Sequence, residues 1–441
     1  MENTKTYPKL KKAPAYRFVA FIIMTLVYIL TYAGLQVFNS AGTQIMETFQ
    51  IGESFLSVLS ACGLLTMAIF SLFVFPLLSA KIGDKAACLA GLIVIVVSGL
   101  LYLVIPESLP ALVAVRLLQG MGMGIINPAS MGMEAVWFPV KERALSAGCM
   151  SACYGLSCTL VTQYTYRTGL AQWSVGKACG VMLTAFGIVM FLLVLFVYKD
   201  IMKKYGVSII DEAIEGYVPQ GEMTDAQREQ WAKASGRKVF QMPANMKEAF
   251  RFPGCWLTYF GCFFYASVLL SGLSFVLPLY FPAMGYDAKA SAAILSMTFL
   301  GHIISSPIFG IISDRVFKGR RTEVTMMAFW GGAVLWIIFH GMVSAQAAIP
   351  ILTVFAFICY FVVTLAAGVY YVIPVEIVKP EFATKNMSIC LVFANIGGIV
   401  SQLIAGALIQ NINALAGLVY VICCMVAVGL INLVLHIKYR C

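Results

Sequence analysis

The sequence contains few charged residues for its length. Only 11% of its 441 residues are Asp, Glu, Lys or Arg, whereas soluble globular proteins carry about a quarter. Hydrophobic residues make up 61% of the chain, and the mean hydropathy is +0.88. This composition excludes an ordinary soluble domain and favours a protein that lies within a lipid bilayer.

The sequence also lacks the residue groupings that catalytic and metal sites require. Its 13 cysteines include no CxxC pair and no Cys/His ligand set, and the closest spacings are Cys149/Cys153 and Cys423–Cys424. No phosphate-binding glycine loop and no nucleophile–base arrangement is visible. We therefore predict no enzymatic activity, no metal and no other cofactor, and we interpret the cysteines as small apolar packing residues.

Long apolar runs are the main feature that the sequence does have. Runs of 18 or more apolar residues predict membrane-spanning helices, and twelve occur, six on each side of a polar segment. They lie near residues 18–40, 55–80, 88–105, 110–136, 144–166, 175–198, 254–280, 290–313, 324–345, 349–375, 386–410 and 415–437. This pattern predicts an all-α membrane protein with two six-helix bundles, 1–198 and 254–441, joined by a connector at 199–253.

The positive charge is distributed unevenly between the predicted loops. When both termini are placed on one side, 26 of the 30 Lys and Arg residues lie on that side, and three (Arg167, Lys177 and Lys289) lie on the other. Cytoplasmic loops carry such an excess, so both termini are predicted to be cytoplasmic in a cell membrane. The polar start continues into a long first span, so no cleaved signal peptide is expected. The net charge of +10 thus indicates topology, not a nucleic-acid partner.

Two residues bring a charge or a titratable group deep into the predicted spans. Arg116 begins the RLLQGMGMG segment of the fourth span. An Arg at that depth costs about 2.5–3.5 kcal/mol on the insertion scale, so it needs water, an anion or backbone carbonyls. His302 lies near the middle of the eighth span and can change charge near neutral pH. Each residue could bind substrate or take part in coupling, or could be a buried structural residue.

Polar and aromatic side chains form stripes along several of the predicted spans. A polar stripe on a helix in lipid faces the protein interior or a water-filled path. The other candidate substrate-binding residues are Tyr28, Tyr32 and Asn39 in the first span, Asn127 in the fourth, Tyr360 and Tyr371 in the tenth, and Asn395 and Gln402 in the eleventh. They could line a small-molecule site or make ordinary hydrogen bonds between packed helices.

Each half also carries carboxylates and bases at the membrane edge. The first half has Asp84, Lys85, Glu134 and Arg143, and the second has Asp314, Arg315, Arg320, Arg321, Glu376 and Lys385. The repeated order of Asp, Glu and base indicates two pseudo-symmetric halves. We predict that these charges pair between helix ends as a cytoplasmic gate. The alternative is that they only anchor the topology.

Several segments resemble motifs of the major facilitator superfamily. GIISDRVFKGRR, at 310–321, is similar to its loop motif, with one extra residue before Gly319, and AKIGDKAA, at 80–87, is a partial copy. RLLQGMGMG is similar to the fourth-helix motif, whose Arg contacts substrate or takes part in proton coupling in related transporters. ALSAGCMSACYGL, at 144–156, is closer to organic-anion members, such as oxalate:formate exchangers, than to drug–proton antiporters.

The resemblance implies two bundles around a central cavity and transport by alternating access. Because the only fixed charge found deep in the spans is the positive Arg116, we predict a small organic anion, a carboxylate, as the substrate. Met123 stands where organic anion:cation symporters often have Glu. This difference favours exchange with a counter-anion, facilitated transport, or proton coupling through His302. A transporter of neutral or lipophilic molecules and a non-transporting membrane sensor are the alternatives, and a monomer is expected.

Overall fold

A computed structural model describes most of the chain. It covers residues 10–104, 108–207, 209–214, 242–243, 245–311, 316–317, 320–367, 373–374 and 377–439. Within these ranges the regular structure is helical, apart from one isolated bridge between Leu10 and Ile214. Helices suit a bilayer because each one satisfies its backbone polar groups internally.

The first half contains six long helices and a short one. They are α1 (Tyr16–Ser40), the short α2 (Gly42–Phe49), α3 (Glu53–Ile82), α4 (Asp84–Val104), α5 (Leu109–Ala135), α6 (Val140–Leu170) and α7 (Val175–Leu192, continued by a π turn at Leu193–Val197). Gly83, with φ of +83°, separates α3 from α4. Glycine adopts this backbone conformation without steric cost, which explains the glycine in AKIGDKAA.

The second half repeats this arrangement after two short connector helices, α8 (Ile201–Tyr205) and α9 (Met246–Arg251). Its long helices are α10 (Pro253–Ala283), α11 (Ala288–Ile311), α12 (Arg321–Ser344), α13 (Ile349–Thr364), α14 (Pro380–Asn411) and α15 (Ala414–Tyr439). Ten helices of the described chain are long and apolar enough to cross a membrane, and α13 is a shorter apolar helix. α6 is the remaining span and is the most polar of them. The predicted all-α fold of twelve spans is confirmed.

The molecule has two ends, which we name by the residues found there. The basic face is the end at Tyr16, Gly83, Tyr205, Arg321 and Tyr439, and the far face is the end at Ser40, Val104, Leu170, Ala283 and Ser344. The charge distribution in the sequence predicts that the basic face is cytoplasmic.

The two halves meet chiefly along two helix pairs, α6 with α11 and α3 with α14. Small residues allow the close approach: a Cβ added at Gly155 would lie 2.5 Å from the Phe299 carbonyl oxygen. Toward the basic face the same pair is packed less tightly, since a Cβ at Gly148 would lie at an ordinary contact distance of 3.9 Å from the Ser306 oxygen. The bundles are therefore packed more closely toward the far face along this pair.

Hydrogen bonds close the far face. The Ser54 amide on α3 donates to Gln410 Oε1 on α14, at 2.8 Å. On the other helix pair, Gln163 Nε2 donates to Ser296 Oγ at 2.7 Å, and the Thr159 hydroxyl donates to the Ser296 carbonyl at 3.1 Å. These bonds join the first bundle to the second at the end opposite to the termini.

Candidate functional site

A chain of aromatic rings crosses from one bundle to the other. On α1, the rings of Tyr28 and Tyr32 lie 4.8 Å apart, and Tyr154 on α6 lies 5.0 Å from Tyr32. Across the interface, the His302 ring on α11 lies 5.4 Å from Tyr154, and the Tyr360 ring on α13 lies 6.1 Å from His302. All five side chains are buried. We call these five residues the aromatic chain.

The aromatic chain lies near the middle of the helices. Tyr28 is equally distant in sequence from Tyr16 and Ser40, the two ends of α1. Tyr28 and Tyr32 are one helical turn apart, so their rings project from the same side of α1. That side was predicted from the stripe of polar and aromatic residues in the first span.

A π turn in α10 places backbone atoms beside the aromatic chain. The Tyr154 hydroxyl donates to the Leu269 carbonyl at 3.1 Å, and Leu269 lies in the π turn Ser267–Leu273. π turns inside α-helices occur frequently at functional sites. Two helices of the first bundle and three of the second therefore meet at Tyr154 and its neighbours.

Several buried polar atoms in or beside the aromatic chain lack a hydrogen-bond partner among the described residues. They include both ring nitrogens of His302, the Tyr360 hydroxyl and Asn127 Oδ1. The Ser151 backbone approaches the His302 ring, and Tyr154 approaches the Tyr360 hydroxyl, in both cases without reaching hydrogen-bonding geometry. Asn127 lies beside the Tyr32 hydroxyl. Buried polar groups are normally paired, so these atoms are suitable for pairing with a bound molecule or with water.

Arg116 lies inside the first bundle, surrounded by α1, α3 and α5. Its Nη1 donates to the Gly34 carbonyl at 3.1 Å and to Gln119 Oε1 at 2.8 Å, and its guanidinium carbon lies 4.4 Å from the centre of the Phe38 ring. A Cβ added at Gly63 would touch the guanidinium. This geometry matches the structural alternative, an Arg bonded to a backbone carbonyl of a neighbouring helix. Its role as a substrate ligand stays a prediction.

The remaining substrate-binding candidates make other contacts. Asn39 accepts a hydrogen bond from Ser60 within the first bundle, at 3.0 Å, and Asn395 donates to the Leu391 carbonyl of its own helix, at 2.9 Å. Gln402 is buried on α14. Tyr371 lies outside the described residues. None of these contacts includes a member of the aromatic chain.

The predicted gating residues that the structure describes pair mostly within their own bundle. Asp84 accepts a hydrogen bond from Ser79. Lys85 Nζ donates to the carbonyls of Leu195 and Tyr198 at 3.0 and 2.6 Å, which places a cation at the C-terminal end of α7. Cations are favourable at that end of a helix. This contact supports the anchoring alternative for Lys85.

The second-half gating residues are described only in part. Arg320 Nη1 pairs with Glu323 Oε1 at 2.9 Å, within the second bundle. Glu134 is buried on α5, Arg321 is half-buried, and Lys385 is exposed on α14. Asp314, Arg315, Glu376 and the Arg143 side chain lie outside the described part of the chain. The cytoplasmic gate therefore stays a prediction.

Sequence reasoning missed two contributors to the cluster, Tyr154 and the Leu269 carbonyl. Tyr154 lies within ALSAGCMSACYGL, three residues before the polar Ser157 of the fifth span. That spacing could have placed Tyr154 near the same face. The Leu269 carbonyl has no signal in the sequence, because a π turn depends on backbone geometry.

The chain matches a known family over most of its length. The model of the Major Facilitator Superfamily matches residues 24–365 and 291–440. The chain belongs to the Major Facilitator Superfamily. A search of curated protein sequences finds no match.

The fold of this superfamily member is similar to solved structures of the xylose transporter XylE from E. coli. One is a partially occluded inward open conformation, with a TM-score of 0.68, 14% identity, and coverage of 96% of this chain and 98% of that chain. Another is the proton:xylose symporter XylE bound to 6-bromo-6-deoxy-D-glucose, with a TM-score of 0.66, 15% identity, and coverage of 97% and 96%.

These comparisons confirm the resemblance drawn from the loop and fourth-helix motifs. The protein is a multi-pass membrane transporter of the superfamily, which works by alternating access. At 14–15% identity, the likeness to XylE shows the fold alone. The organic-anion branch is not supported by these matches and stays a prediction.

Proposed function

We propose that this transporter carries a small uncharged organic compound that has a ring face and several hydroxyl or carbonyl groups. The first alternative to an organic anion in the sequence analysis was a neutral or lipophilic molecule, and the proposal narrows this alternative to hydroxylated rings. The observation that carries the proposal is the aromatic chain between the two bundles. A transport site must contact both bundles, because the bundles move against each other around it.

The chemistry of the aromatic chain favours an uncharged ligand. Aromatic walls with a few placed polar groups are typical of small-molecule sites. The polar atoms available there are the His302 nitrogens, the Tyr360 hydroxyl and the Asn127 oxygen, none of which carries a fixed charge. Arg116, the deep fixed charge, is bonded within the first bundle. The similar fold of XylE, a xylose transporter that is bound to 6-bromo-6-deoxy-D-glucose in one structure, agrees with a polyhydroxylated ring.

The test is a ligand screen on the purified protein. Sugars, polyols, neutral aromatic compounds, mono- and dicarboxylates, and amines are compared by the rise in apparent melting temperature, since a ligand that binds the folded state stabilises it by mass action. We expect neutral hydroxylated rings to stabilise the protein. Uptake of the best ligand is then measured in proteoliposomes. If only amines stabilise the protein, the proposal is wrong.

A pair of tyrosine variants links the ligand to the aromatic chain. Tyr154→Phe removes the hydroxyl that donates to the Leu269 carbonyl. Tyr286→Phe removes a hydroxyl that donates to the Val343 carbonyl at 3.3 Å and does not belong to the aromatic chain. We expect the stabilisation by ligand to fall in Tyr154→Phe and to persist in Tyr286→Phe. Equal shifts in both variants would place the site elsewhere.

A small organic anion, the carboxylate predicted from the sequence, is the second candidate. The favourable observation is His302, whose two unpartnered ring nitrogens would offer a positive charge between the bundles if the ring takes up a proton. In that case His302 couples transport of the anion to movement of a proton or a counter-anion, and Arg116 is a second positive group. Screening at pH 5.5 and 7.5 separates the two candidates. Stabilisation by carboxylates alone, stronger at pH 5.5, favours the anion.

We further propose that the transporter is a monomer in a cell membrane with its basic face in the cytoplasm. The excess of Lys and Arg on that face supports the orientation. Accessibility of an epitope added at either terminus, measured in intact and permeabilised cells, tests it. Labelling in intact cells would contradict the orientation.

A further inference from the structure

A cavity of about 560 Å³ opens at the far face, within the first bundle and apart from the aromatic chain. The ends of α4, α5 and α7 and the end of α2 form its walls. We call it the far-face cavity. Its volume lies in the range of about 300–1,000 Å³ that is usual for small-molecule sites.

The floor of the far-face cavity is apolar and buried. It includes Leu112 and Val115 of α5 and the Tyr102 ring of α4, each exposed by less than a tenth. The Tyr102 hydroxyl is turned away to Gln119 Oε1, at 3.3 Å. The floor therefore offers hydrocarbon and ring surface rather than hydrogen bonds, which suits an alkyl or aryl group.

The rim of the far-face cavity is polar and electropositive. Two long helices begin there, α5 after Ser108 and α7 after Ser174, and both residues line the cavity. The N-terminal end of a helix carries a partial positive charge, and at α7 the Ser174 hydroxyl accepts from the Lys177 amide at 3.2 Å. Lys177 also lines the rim, with its Nζ 4.7 Å from the centre of the Trp173 ring. Lys177 is one of the three basic residues that the sequence places on this side.

We propose that the far-face cavity is a second binding site, which takes an amphipathic anion such as a single-chain carboxylate. The anionic head would lie at the rim, against Lys177 and the positive N-terminal ends of α5 and α7. The apolar tail would lie on Leu112, Val115 and Tyr102. An amphipathic anion is the class that fits both ends, because a fully polar anion would leave the floor uncovered and a neutral apolar molecule would not use the rim.

The test measures octanoate binding to the purified full-length protein in nanodiscs of zwitterionic lipid, with octanol as the uncharged probe of equal length. We expect octanoate to bind more tightly than octanol. In Lys177→Gln the dissociation constant for octanoate should rise about tenfold, as expected for the loss of a charge-assisted contact. Lys289→Gln removes an exposed lysine from the same face of the second bundle and should leave binding unchanged.

Two further variants keep the test decisive. Ala111 lines the cavity, so Ala111→Phe should fill it and abolish binding of both probes. His302→Gln alters the aromatic chain and should leave octanoate binding unchanged, which separates this site from the proposed transport site. The proposal is overturned if octanoate and octanol bind equally, if Lys289→Gln weakens binding as much as Lys177→Gln, or if Ala111→Phe has no effect.

The anion could come from the membrane or from solution, and the same assay distinguishes these sources. Nanodiscs that contain an anionic phospholipid should mask the octanoate site if a lipid occupies it. Unchanged octanoate binding in those nanodiscs assigns the site to a soluble amphiphile. In either case Lys177→Gln must weaken octanoate binding for the proposal to stand.

Discussion

At the scale of single residues, His302 has the most informative environment. It is buried between Tyr154 and Tyr360, on the boundary between the bundles, and neither ring nitrogen has a partner among the described residues. An unpaired buried polar group is costly. A bound substrate or water that pairs with the ring would remove that cost, which gives His302 a physical reason to be a binding residue.

We expect His302→Gln to lower substrate affinity about tenfold, because hydrogen bonds made by the ring to the substrate would be lost or misplaced. The measurement is uptake in proteoliposomes as a function of substrate concentration. His340→Gln is the matched control, since His340 lies in the same half and its Nδ1 bonds the Tyr280 hydroxyl at 2.6 Å. If both variants lose activity equally, the loss reflects general damage and not a binding role.

The second prediction for a single residue is that Arg116 stabilises the first bundle and does not bind substrate. Arg116→Gln removes the cation from the Phe38 ring and one of two donors from each of the oxygens that the guanidinium contacts, which keep Gln119 Nε2 and the Tyr102 hydroxyl. We expect a loss of about 1–3 kcal/mol in the free energy of unfolding, seen as a lower melting temperature with substrate affinity unchanged. Arg167→Gln, at an exposed position on the far face, should change stability little. Lost affinity with normal stability would instead restore Arg116 as a substrate ligand.

The sequence predicted that Arg116 needs partners, but it could not name them. The cost of a buried cation follows from residue type and depth, which can be read along a helix. The partners are the Gly34 carbonyl, Gln119 and Phe38, which come from α1 and α5. Their meeting depends on how α1 rotates and packs against α5, and this is a property of the folded bundle.

At the scale of elements, the pair α6 and α11 is a closely packed contact between the bundles. Glycine at 155 allows the helices to approach so closely that an added Cβ would lie 2.5 Å from the Phe299 oxygen and 2.9 Å from the His302 Cβ. Tyr154, the next residue, is part of the aromatic chain. The helix contact and the candidate site therefore depend on each other.

We expect Gly155→Ala to displace α11 from α6 and to lower both stability and uptake. Overpacking costs typically about 1–3 kcal/mol, which exceeds the gain of about 1 kcal/mol in helix propensity. Gly148→Ala is the control on the same helix, because its Cβ would be 3.9 Å from the Ser306 oxygen. It should be neutral or slightly stabilising in thermal unfolding. Equal effects of the two substitutions would show that the close approach is unimportant.

The number and order of the elements were readable from the sequence, and their irregularities were not. Apolar runs predicted every span, although α6 extends from Val140 to Leu170 rather than over 144–166. The π turns at Phe70–Val74, Leu193–Val197 and Ser267–Leu273 were not foreseen. A run of apolar residues specifies a helix in lipid, but the register of its backbone hydrogen bonds responds to neighbouring helices.

At the scale of the whole molecule, hydrogen bonds between the bundles hold the far face closed. Bonds from Ser54 to Gln410 and from Gln163 to Ser296 close the far face, and α6 and α11 are packed less tightly toward the basic face. Alternating access requires these far-face bonds to break in the opposite state.

Gln410→Ala should therefore shift the population toward a state with an open far face. Loss of one hydrogen bond of about 1 kcal/mol changes a two-state ratio about fivefold. Spin labels at Arg167→Cys and Ala345→Cys, in a cysteine-free background, report the distance between the bundles at the far face. Gln346→Ala is the control, since Gln346 bonds the Met284 carbonyl within its own bundle, at 3.1 Å. We expect the longer distance to gain population only in Gln410→Ala. An unchanged distribution there would mean that the Ser54–Gln410 bond is not part of the far-face closure.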